Sequence, residues 1–226
     1  MRSAGGVRGK PLFLAHRGDW TRAVENSLDA FAAAAHHPGI DGIEFDVRAA
    51  GDGTPVVIHD ADLRRVQGDP RRVADLSATD LEQLGVPTLA TVLQRLPRAF
   101  FLDIEFKEDV GAAVVSVLTG VRGDPPPNVV VSSFLPDALS SVRTLAPGWP
   151  SWLIHEHLDR DVIEQARSLG CRGIAAEWPS LTGPLIGLAR EEGLELMTWT
   201  VPDLPVLRGI LRLGLDAICL DPPALP

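Results

Sequence analysis

Residues 41–47 read DGIEFDV, a short apolar run in which two carboxylates, Glu44 and Asp46, alternate with Phe45 and Val47. Successive side chains of a β-strand point to opposite faces, so the two carboxylates share one face, roughly 6.5–7 Å apart along the chain. This pattern fits a buried strand with an acidic inner face. It also fits the solvated face of an edge strand, so the flanking sequence is needed to choose between them.

Similar runs, rich in Val, Ile, Leu and Phe and bounded by Gly, Pro or Asp, recur along the chain. Parallel strands that are buried on both faces have this composition. An additional run at 55–59 follows the turn sequence Gly51-Asp52-Gly53 so closely that no helix fits before it, and it predicts an added strand. The main runs cover residues 12–15, 43–47, 100–105, 129–133, 151–154, 173–176, 195–201 and 217–220.

Amphipathic segments separate these runs. Within 28–35 the apolar residues have the spacing of one helix face, and Asn26 is the predicted N-cap. The alternation predicts a TIM (β/α)8 barrel with an extra short strand after strand 2, a short insertion at 61–86 and a truncated C-terminal helix. A doubly wound open sheet is the alternative. The other predicted helices lie within 89–96, 110–118, 138–145, 162–169, 185–190 and 204–213.

Because the chain stops shortly after the last run, the position of the eighth helix must be covered by the N-terminal segment, by a partner chain or by nothing.

At 226 residues, 45% of them hydrophobic, the whole chain (1–226) is expected to be a single domain with a large core. Cys171 and Cys219 lack zinc-type spacing, which predicts free thiols.

The formal net charge is −9, which argues against nucleic acid and anionic membrane surfaces as partners because both need a basic face. A small phosphate-bearing substrate is compatible with the negative net charge, since a few cationic side chains and a metal ion can make the electrostatic potential positive at the mouth of one site. No run approaches the roughly 20 apolar residues of a membrane span. The N-terminus lacks the apolar core of a signal peptide, so a cytoplasmic location is expected.

Acidic residues of two successive predicted strands are expected to meet in the barrel interior. Asp103, Glu105 and Lys107 share one face of the third strand, as Glu44 and Asp46 do on the second. Like charges in a low-dielectric site raise one another's pKa. A hard divalent cation that prefers carboxylate oxygen, Mg²⁺ or Ca²⁺, with Mn²⁺ as a further candidate, resolves this repulsion most simply.

Two histidines and an arginine also follow predicted strands, at the ends where a barrel gathers its catalytic groups. His16 and Arg17 follow the first run, and His59 ends the added strand. A phosphodiester needs a base for the attacking hydroxyl and an acid for the leaving alkoxide, and two histidines supply both. The arginine fork suits phosphate oxygens. Each residue alone fits a structural position too, but together they favour a metal-dependent phosphodiester site.

These residues belong to a series of motifs that occur in the same order in a known family. The resemblance covers residues 12 to about 223, and the motifs in the first half of the chain are the more specific ones. The sequence resembles the glycerophosphodiester phosphodiesterase family (GDPD) in His16-Arg17-Gly18, Glu25-Asn26-Ser27, Asp41 to Val47, Asp52-Gly53, Pro55 to Asp60 with Leu63 and Arg65, Pro87-Thr88-Leu89, Ile104 to Lys107, Ser132-Ser133-Phe134, Trp199-Thr200-Val201 and Asp221-Pro222.

The resemblance implies a TIM-barrel enzyme that hydrolyses glycerophosphodiesters to glycerol 3-phosphate and an alcohol. It implies Glu25 as a metal ligand or as the partner that orients Arg17. It also implies Trp199 as an apolar wall for the substrate, although a plain core position fits Trp199 equally well. The remaining positions match metal ligands (Glu44, Asp46, Glu105), the acid/base pair (His16, His59) and phosphate contacts (Arg17, Lys107).

The segment 61–86 is shorter than the insertion of many family members, which is expected to leave the mouth more open. A phospholipase D-like enzyme that converts lysophospholipids, through attack of an internal hydroxyl to give a cyclic phosphate, is therefore an alternative. The expected partner is a small-molecule or lysolipid phosphodiester; a phosphate-binding protein without turnover is the non-enzymatic alternative. Four residues near predicted strand ends either shape an unusual pocket or are plain loop residues: His155, His157, Glu177 and Trp178.

Overall fold

Eight of the predicted strands form a closed parallel barrel in the computed structural model, which describes residues 9–226. β1 pairs with both β2 and β9, and these two pairings close the ring. β3 lies outside the ring and pairs antiparallel with β2, with Val47 opposite Val57. The strands in these residues are β1 (Leu12–His16), β2 (Gly42–Ala49), β3 (Pro55–Val57), β4 (Phe101–Phe106), β5 (Val129–Ser133), β6 (Ser151–His155), β7 (Gly173–Glu177), β8 (Glu195–Val201) and β9 (Ala217–Leu220).

Helices connect successive strands and cover the outside of the ring. The predicted TIM barrel and its added strand are therefore confirmed, and the open doubly wound sheet is wrong. Pro136, Pro184 and Pro205 lie at helix starts, where a missing N–H costs little. The α-helices of the described residues are α1 (Leu28–Ala35), α2 (Arg64–Gln67), α3 (Ala78–Gln83), α4 (Leu89–Arg95), α5 (Gly111–Arg122), α6 (Pro136–Leu145), α7 (Arg160–Leu169), α8 (Gly183–Glu191) and α9 (Leu204–Ile210).

The N-cap predicted for α1 is wrong by one residue. Ser27 is the N-cap, with extended backbone angles and a hydroxyl that accepts a hydrogen bond from the Ala30 N–H at 3.2 Å. Asn26 has a left-handed backbone, with φ of +57°, whereas an N-cap adopts the β region. Its side chain points instead to Asp46, as described for the site below.

Two apolar layers follow from the alternation of side chains along the strands. On β6, Leu153 packs outward against the helices, whereas Trp152 and Ile154 point into the barrel. Trp152 is 2% exposed and donates its indole N–H to Glu195. The interior is thus a packed core with one polar end. Its other apolar members are Leu14, Val130, Ala175, Met197, Ala217 and Cys219.

The segment between β3 and α4 forms a small compact unit beside the barrel. It contains α2 and α3, and its own apolar cluster includes Leu63 and Leu81, which are both fully buried. This unit packs against the added strand through Val56. The unit also contacts β2, so it lies on the side of the barrel formed by β2 and β3.

A short 3-10 turn, Pro222–Ala224, stands where an eighth helix would begin, and Ala224 and Leu225 are buried in the outer core. Residues 1–8 lie outside the described residues. The expectation about a signal peptide and the possibility that the N-terminal segment covers the position of the eighth helix both concern these residues. Between residues 9 and 226, no helix has the length and apolar character needed to cross a membrane. Cys171 and Cys219 are free and buried, as predicted.

Candidate active site

Pairing between β2 and β4 brings four carboxylates into two adjacent layers at the polar end of the barrel. Asp46 lies opposite Glu105, and Glu44 lies opposite Asp103 one layer deeper. Oxygen atoms of Glu44, Asp46 and Glu105 all lie within 4.8 Å of one another, and all three side chains are buried. The predicted metal ligands therefore form one cluster.

Free oxygen atoms in this cluster fit a divalent cation. Oε2 of Glu44 is buried and has no hydrogen-bond partner, and Oδ1 of Asp46 is buried with no hydrogen bond beside its ion pair with Lys107. A buried carboxylate without a partner is costly, and buried charges are normally paired or bound to a metal. A site formed by three carboxylates offers hard oxygen ligands, which Mg²⁺, Ca²⁺ and Mn²⁺ prefer.

The crowding of like charges shifts the pKa values of these groups. Burial, together with the charges of Asp46 and Glu105, raises the pKa of Glu44 well above its usual range. Burial and Asp46 raise the pKa of Glu105 to about 7, against the opposing effect of Lys107. Asp46 is different: although burial opposes it, Lys107 and Arg17 hold its pKa at about 2. Asp46 is thus the carboxylate of the cluster that is ionised at neutral pH.

Two cations flank Asp46 from opposite oxygen atoms. Nε of Arg17 lies 3.1 Å from Oδ2, and Nζ of Lys107 lies 3.0 Å from Oδ1 and also contacts Glu105. Neither contact to Asp46 has hydrogen-bond geometry. Nε of Arg17 and Oδ1 of Asp46 both remain without a hydrogen-bond partner. Lys107 also donates a hydrogen bond to Glu105, and both cations keep donor capacity for another anion.

A strained turn after β1 places Arg17. Its φ is +56°, which is unusual for a non-glycine residue, and its N–H donates to the carbonyl of Glu44 at 2.9 Å. Gly18 follows with φ of +85°, and a Cβ there would lie 2.7 Å from the backbone of Ala30 on α1. The glycine after His16-Arg17 is therefore required by close packing against α1.

Each of the two histidines has an aspartate on Nδ1. His16 Nδ1 lies 2.7 Å from Oδ1 of Asp221, at the end of β9, and His59 Nδ1 lies 2.7 Å from Oδ1 of Asp60. An ionised aspartate accepts a hydrogen bond, which favours the proton on Nδ1 and leaves Nε2 free. Burial lowers the pKa of His59, against the opposing fields of Asp46 and Asp60. His16 Nε2 lies 3.9 Å from Oε2 of Glu44, which places it beside the carboxylate cluster.

Glu25 contacts arginines and is not part of the metal cluster within the described residues. Its Oε1 accepts from Arg17 at 3.0 Å, and both of its oxygens accept from Arg65 at 2.7 Å. Of the two roles expected for Glu25, the partner of Arg17 therefore fits the geometry. Its neighbour Asn26 donates its amide to Oδ2 of Asp46 at 2.8 Å, and its backbone N–H donates to the Arg17 carbonyl at 3.0 Å.

A cavity of about 210 Å³ opens over these groups and has an apolar wall. Trp199 lines it, donates its indole N–H to the carbonyl of Ala175, and meets Phe134 edge-on at 5.5 Å between ring centroids. Met197 and Ile154 continue the wall inward. The residues around the cavity do not include the four strand-end residues singled out in the sequence: His155, His157, Glu177 and Trp178.

Every residue predicted for the site lies at this end of the barrel, and the structure adds residues that sequence reasoning left without a role. In the sequence, Asp221 and Phe134 belong only to motifs of the family resemblance, and Asn26 is predicted to be a helix N-cap. Asp60 follows His59 directly, and this adjacency was the one available signal that it would hold the imidazole.

Comparisons with known proteins find similar sequences and folds over nearly the whole chain. A family model described as the glycerophosphoryl diester phosphodiesterase family matches residues 16–225. A glycerophosphodiester phosphodiesterase of Caldanaerobacter subterraneus is 26% identical over 95% of this chain and 95% of its own length. A phosphodiesterase of Oleispira antarctica, solved in complex with the product sn-glycerol-3-phosphate, has a TM-score of 0.86 with 25% identity and covers 94% of both chains. The glycerophosphodiester phosphodiesterase of Thermotoga maritima has a TM-score of 0.80 with 26% identity, over 95% of this chain and 96% of that one.

Proposed function

The chain belongs to the glycerophosphoryl diester phosphodiesterase family, and from this premise we propose that it hydrolyses glycerophosphodiesters to glycerol 3-phosphate and an alcohol, using a divalent cation and a histidine pair. One observation carries the proposal. The three-carboxylate cluster, two cations and two aspartate-bound histidines converge on a single cavity with an apolar wall.

The proposed cation ligands are Glu44, Asp46 and Glu105. A divalent cation bound there supplies a Lewis acid that draws charge from a non-bridging phosphate oxygen. Asn26 fixes the orientation of Asp46 through its amide, and such hydrogen bonds to metal-binding carboxylates commonly tune metal affinity.

Arg17 and Lys107 are the proposed phosphate-binding residues. The Arg17 guanidinium and the Lys107 ammonium both contact Asp46 and face the cavity. An arginine fork binds two phosphate oxygens together, whereas lysine acts as a point charge. Together they offset the negative charge that a phosphodiester brings to a site already rich in carboxylates.

His16 and His59 are the proposed acid and base. The neutral histidine removes a proton from the attacking water through Nε2, and the protonated one delivers its Nε2 proton to the leaving alkoxide oxygen. Asp221 and Asp60 keep Nδ1 occupied, so that each ring presents Nε2 to the substrate. The two rings exchange protonation states in one turnover, and solvent restores the starting states.

Trp199 and Phe134 are proposed to contact the glycerol or alcohol part. The indole of Trp199 is tethered through its N–H, which fixes the ring plane that the cavity presents. An apolar wall opposite a charged phosphate site suits a substrate with one ionic and one less polar end.

A product-detected screen tests the proposal. Glycerophosphodiesters with different alcohols are incubated with Mg²⁺, Mn²⁺ or Ca²⁺, or with a chelator, and glycerol 3-phosphate is measured enzymatically. We expect release of glycerol 3-phosphate with at least one of the metals and its loss in the chelator. No release from any diester with any of the three metals would contradict the proposal.

A second candidate is a phospholipase D-like reaction on lysophospholipids. Phe134 is 40% exposed, lines the cavity and extends its apolar wall from Trp199, and the next residue in the chain, Leu135, is 42% exposed. An acyl chain attached to the glycerol part would find apolar surface there. Phosphorus NMR of the products discriminates, because a persistent cyclic phosphate identifies attack by an internal hydroxyl and its absence with lysolipid substrates favours simple hydrolysis.

A further inference from the structure

Arg65, on α2, joins two carboxylates, each of which contacts a different residue of the candidate site. Its Nε donates to Oδ2 of Asp60 at 2.6 Å, and its two terminal nitrogens donate to the two oxygens of Glu25 at 2.7 Å each. All three nitrogen atoms of the guanidinium are therefore engaged. Arg65 itself does not line the cavity that the described residues form.

Each of the two carboxylates also binds a residue of the proposed active site. Asp60 binds Nδ1 of His59 at 2.7 Å, and Glu25 binds Nη1 of Arg17 at 3.0 Å. We name these five side chains the Arg65 network. One end is a proposed acid/base residue, and the other end is a proposed phosphate-binding residue.

We propose that Arg65 is a positioning residue that sets His59 and Arg17 in one fixed geometry, acting through Asp60 and Glu25. This inference rests on the proposed function. Arg65 touches neither the substrate cavity nor the carboxylate cluster, so its contribution is to orient other groups rather than to react.

The shape of arginine is what the network requires. Its planar fork presents donors in fixed directions, so one side chain satisfies two separate carboxylates at once. Without it, Asp60 and Glu25 would be two neighbouring anions with no cation between them. Each would then be free to turn away, releasing the imidazole of His59 and the guanidinium of Arg17 from their fixed positions.

The location of Arg65 separates positioning from general stability. None of the four residues of α2 is buried, and the Arg65 side chain is 48% exposed. The segment is anchored elsewhere, by Leu63 and its apolar neighbours. Truncating Arg65 therefore removes the network without opening a cavity in a core.

Arg64 provides a matched control on the same short helix. Its side chain is 71% exposed, and its contact is a loose 3.8 Å pair with Asp62. The variants R65A, R65K and R64A are compared with the wild-type protein. Turnover of sn-glycero-3-phosphocholine with saturating Mg²⁺, Mn²⁺ or Ca²⁺ gives kcat and KM, and nitrogen-15 NMR of the metal-free protein reports the His59 tautomer.

We expect R65A to lower kcat by about 10- to 100-fold with a smaller rise in KM, since small misplacements of reacting groups have effects of this size. R65K, which keeps one cation between the carboxylates, should recover part of the loss, and R64A should stay within about twofold of wild type. In the metal-free wild type, His59 should carry its proton on Nδ1, and in R65A the two tautomers should mix.

Wild-type kcat and an unchanged His59 tautomer in R65A would overturn the inference. Equal losses in R65A and R64A would also overturn it, because general loosening of the segment would then explain both. If R65A fails to unfold cooperatively, R65K decides by the same two readouts. Absence of wild-type turnover with every metal would instead contradict the proposed function, and the NMR readout would still decide whether Arg65 orients His59.

Discussion

Nδ1 of His16 lies 2.7 Å from Oδ1 of Asp221, a residue 205 positions further along the chain. The first strand of the barrel ends at the histidine, and the aspartate directly follows the last strand, so the contact exists only because β1 and β9 pair and close the ring. Closure of the fold thus orients one of the two proposed proton-transfer groups.

Replacing Asp221 with Asn should lower kcat by about 100-fold or more, on the scale of general acid/base contributions. An amide can donate to Nδ1 and so favour the tautomer whose Nε2 is protonated, which presents the wrong state to the substrate. The measurement is kcat together with the nitrogen-15 shifts of His16. Asp161→Asn, an exposed change on α7, is the control, and similar kinetics for both variants would refute the role of Asp221.

Divalent cations should raise the thermal stability of the protein. Binding to the folded state alone stabilises it in proportion to the logarithm of metal concentration, and the buried cluster offers unpartnered oxygens for that binding. In the Glu44→Gln variant the shift in Tm with Mg²⁺, Mn²⁺ and Ca²⁺ should largely vanish, while Tm in a chelator at neutral pH should rise, because a carboxyl group whose raised pKa disfavours the folded state is gone. A lower Tm of this variant in the chelator would contradict the electrostatic account of the cluster.

Stability of the metal-free protein should fall as the pH rises from about 4.5 to about 7. Glu105 and Asp103 each have a folded-state pKa of about 7, above the usual carboxyl range, and Glu44 is shifted in the same direction, with burial as the first cause in all three. The folded protein therefore binds more protons than the unfolded chain in this window, and deprotonation costs stability. Urea unfolding in a chelator at pH 5.5 and 8 measures the change. Glu105→Gln should flatten it, and an equal pH dependence in that variant would assign the effect to other groups.

Asn26 should matter for metal affinity rather than only for stability. Its amide holds Oδ2 of Asp46, so Asn26→Ala should weaken metal binding by about 10- to 100-fold, as measured by metal titration. Asn128→Ala is a matched control, because Asn128 has the same left-handed backbone, with φ of +56° against +57°, and hydrogen-bonds to backbone carbonyls of Arg98 and Ala99. Equal metal affinities in the two variants would show that Asn26 acts through its backbone alone.

The strands and their acidic inner faces could be predicted from sequence because a local rule governs them. Alternation along residues 43–47 and 100–105 determines which side chains share a face, and parallel pairing then brings Asp46 opposite Glu105. The predicted strands agree with the observed ones to within one or two residues at most ends.

Contacts made by the completed fold could not be predicted in this way. The sequence predicts Asn26 as a helix N-cap, since Asn is common at N-caps, yet a tertiary hydrogen bond to Asp46 and a left-handed backbone decide its position. Arg65 and Asp221 reach the site from a short segment and from the far end of the chain. No periodicity links them to Glu25 or His16, so their roles depend on three-dimensional packing.

The central claim, a pair of histidines that transfer protons at one metal-binding site, is tested most directly by leaving-group chemistry. The rates of His16→Ala and His59→Ala are measured on sn-glycero-3-phosphocholine and on the p-nitrophenyl ester of glycerol 3-phosphate, whose leaving group needs little protonation. We expect both variants to lose about 10²- to 10⁴-fold on the choline ester. One of them, the general-acid variant, should recover most of its rate on the p-nitrophenyl ester, while the other stays impaired. Near-wild-type turnover of the choline ester by either variant, or equal impairment of both on the two esters, would contradict the account.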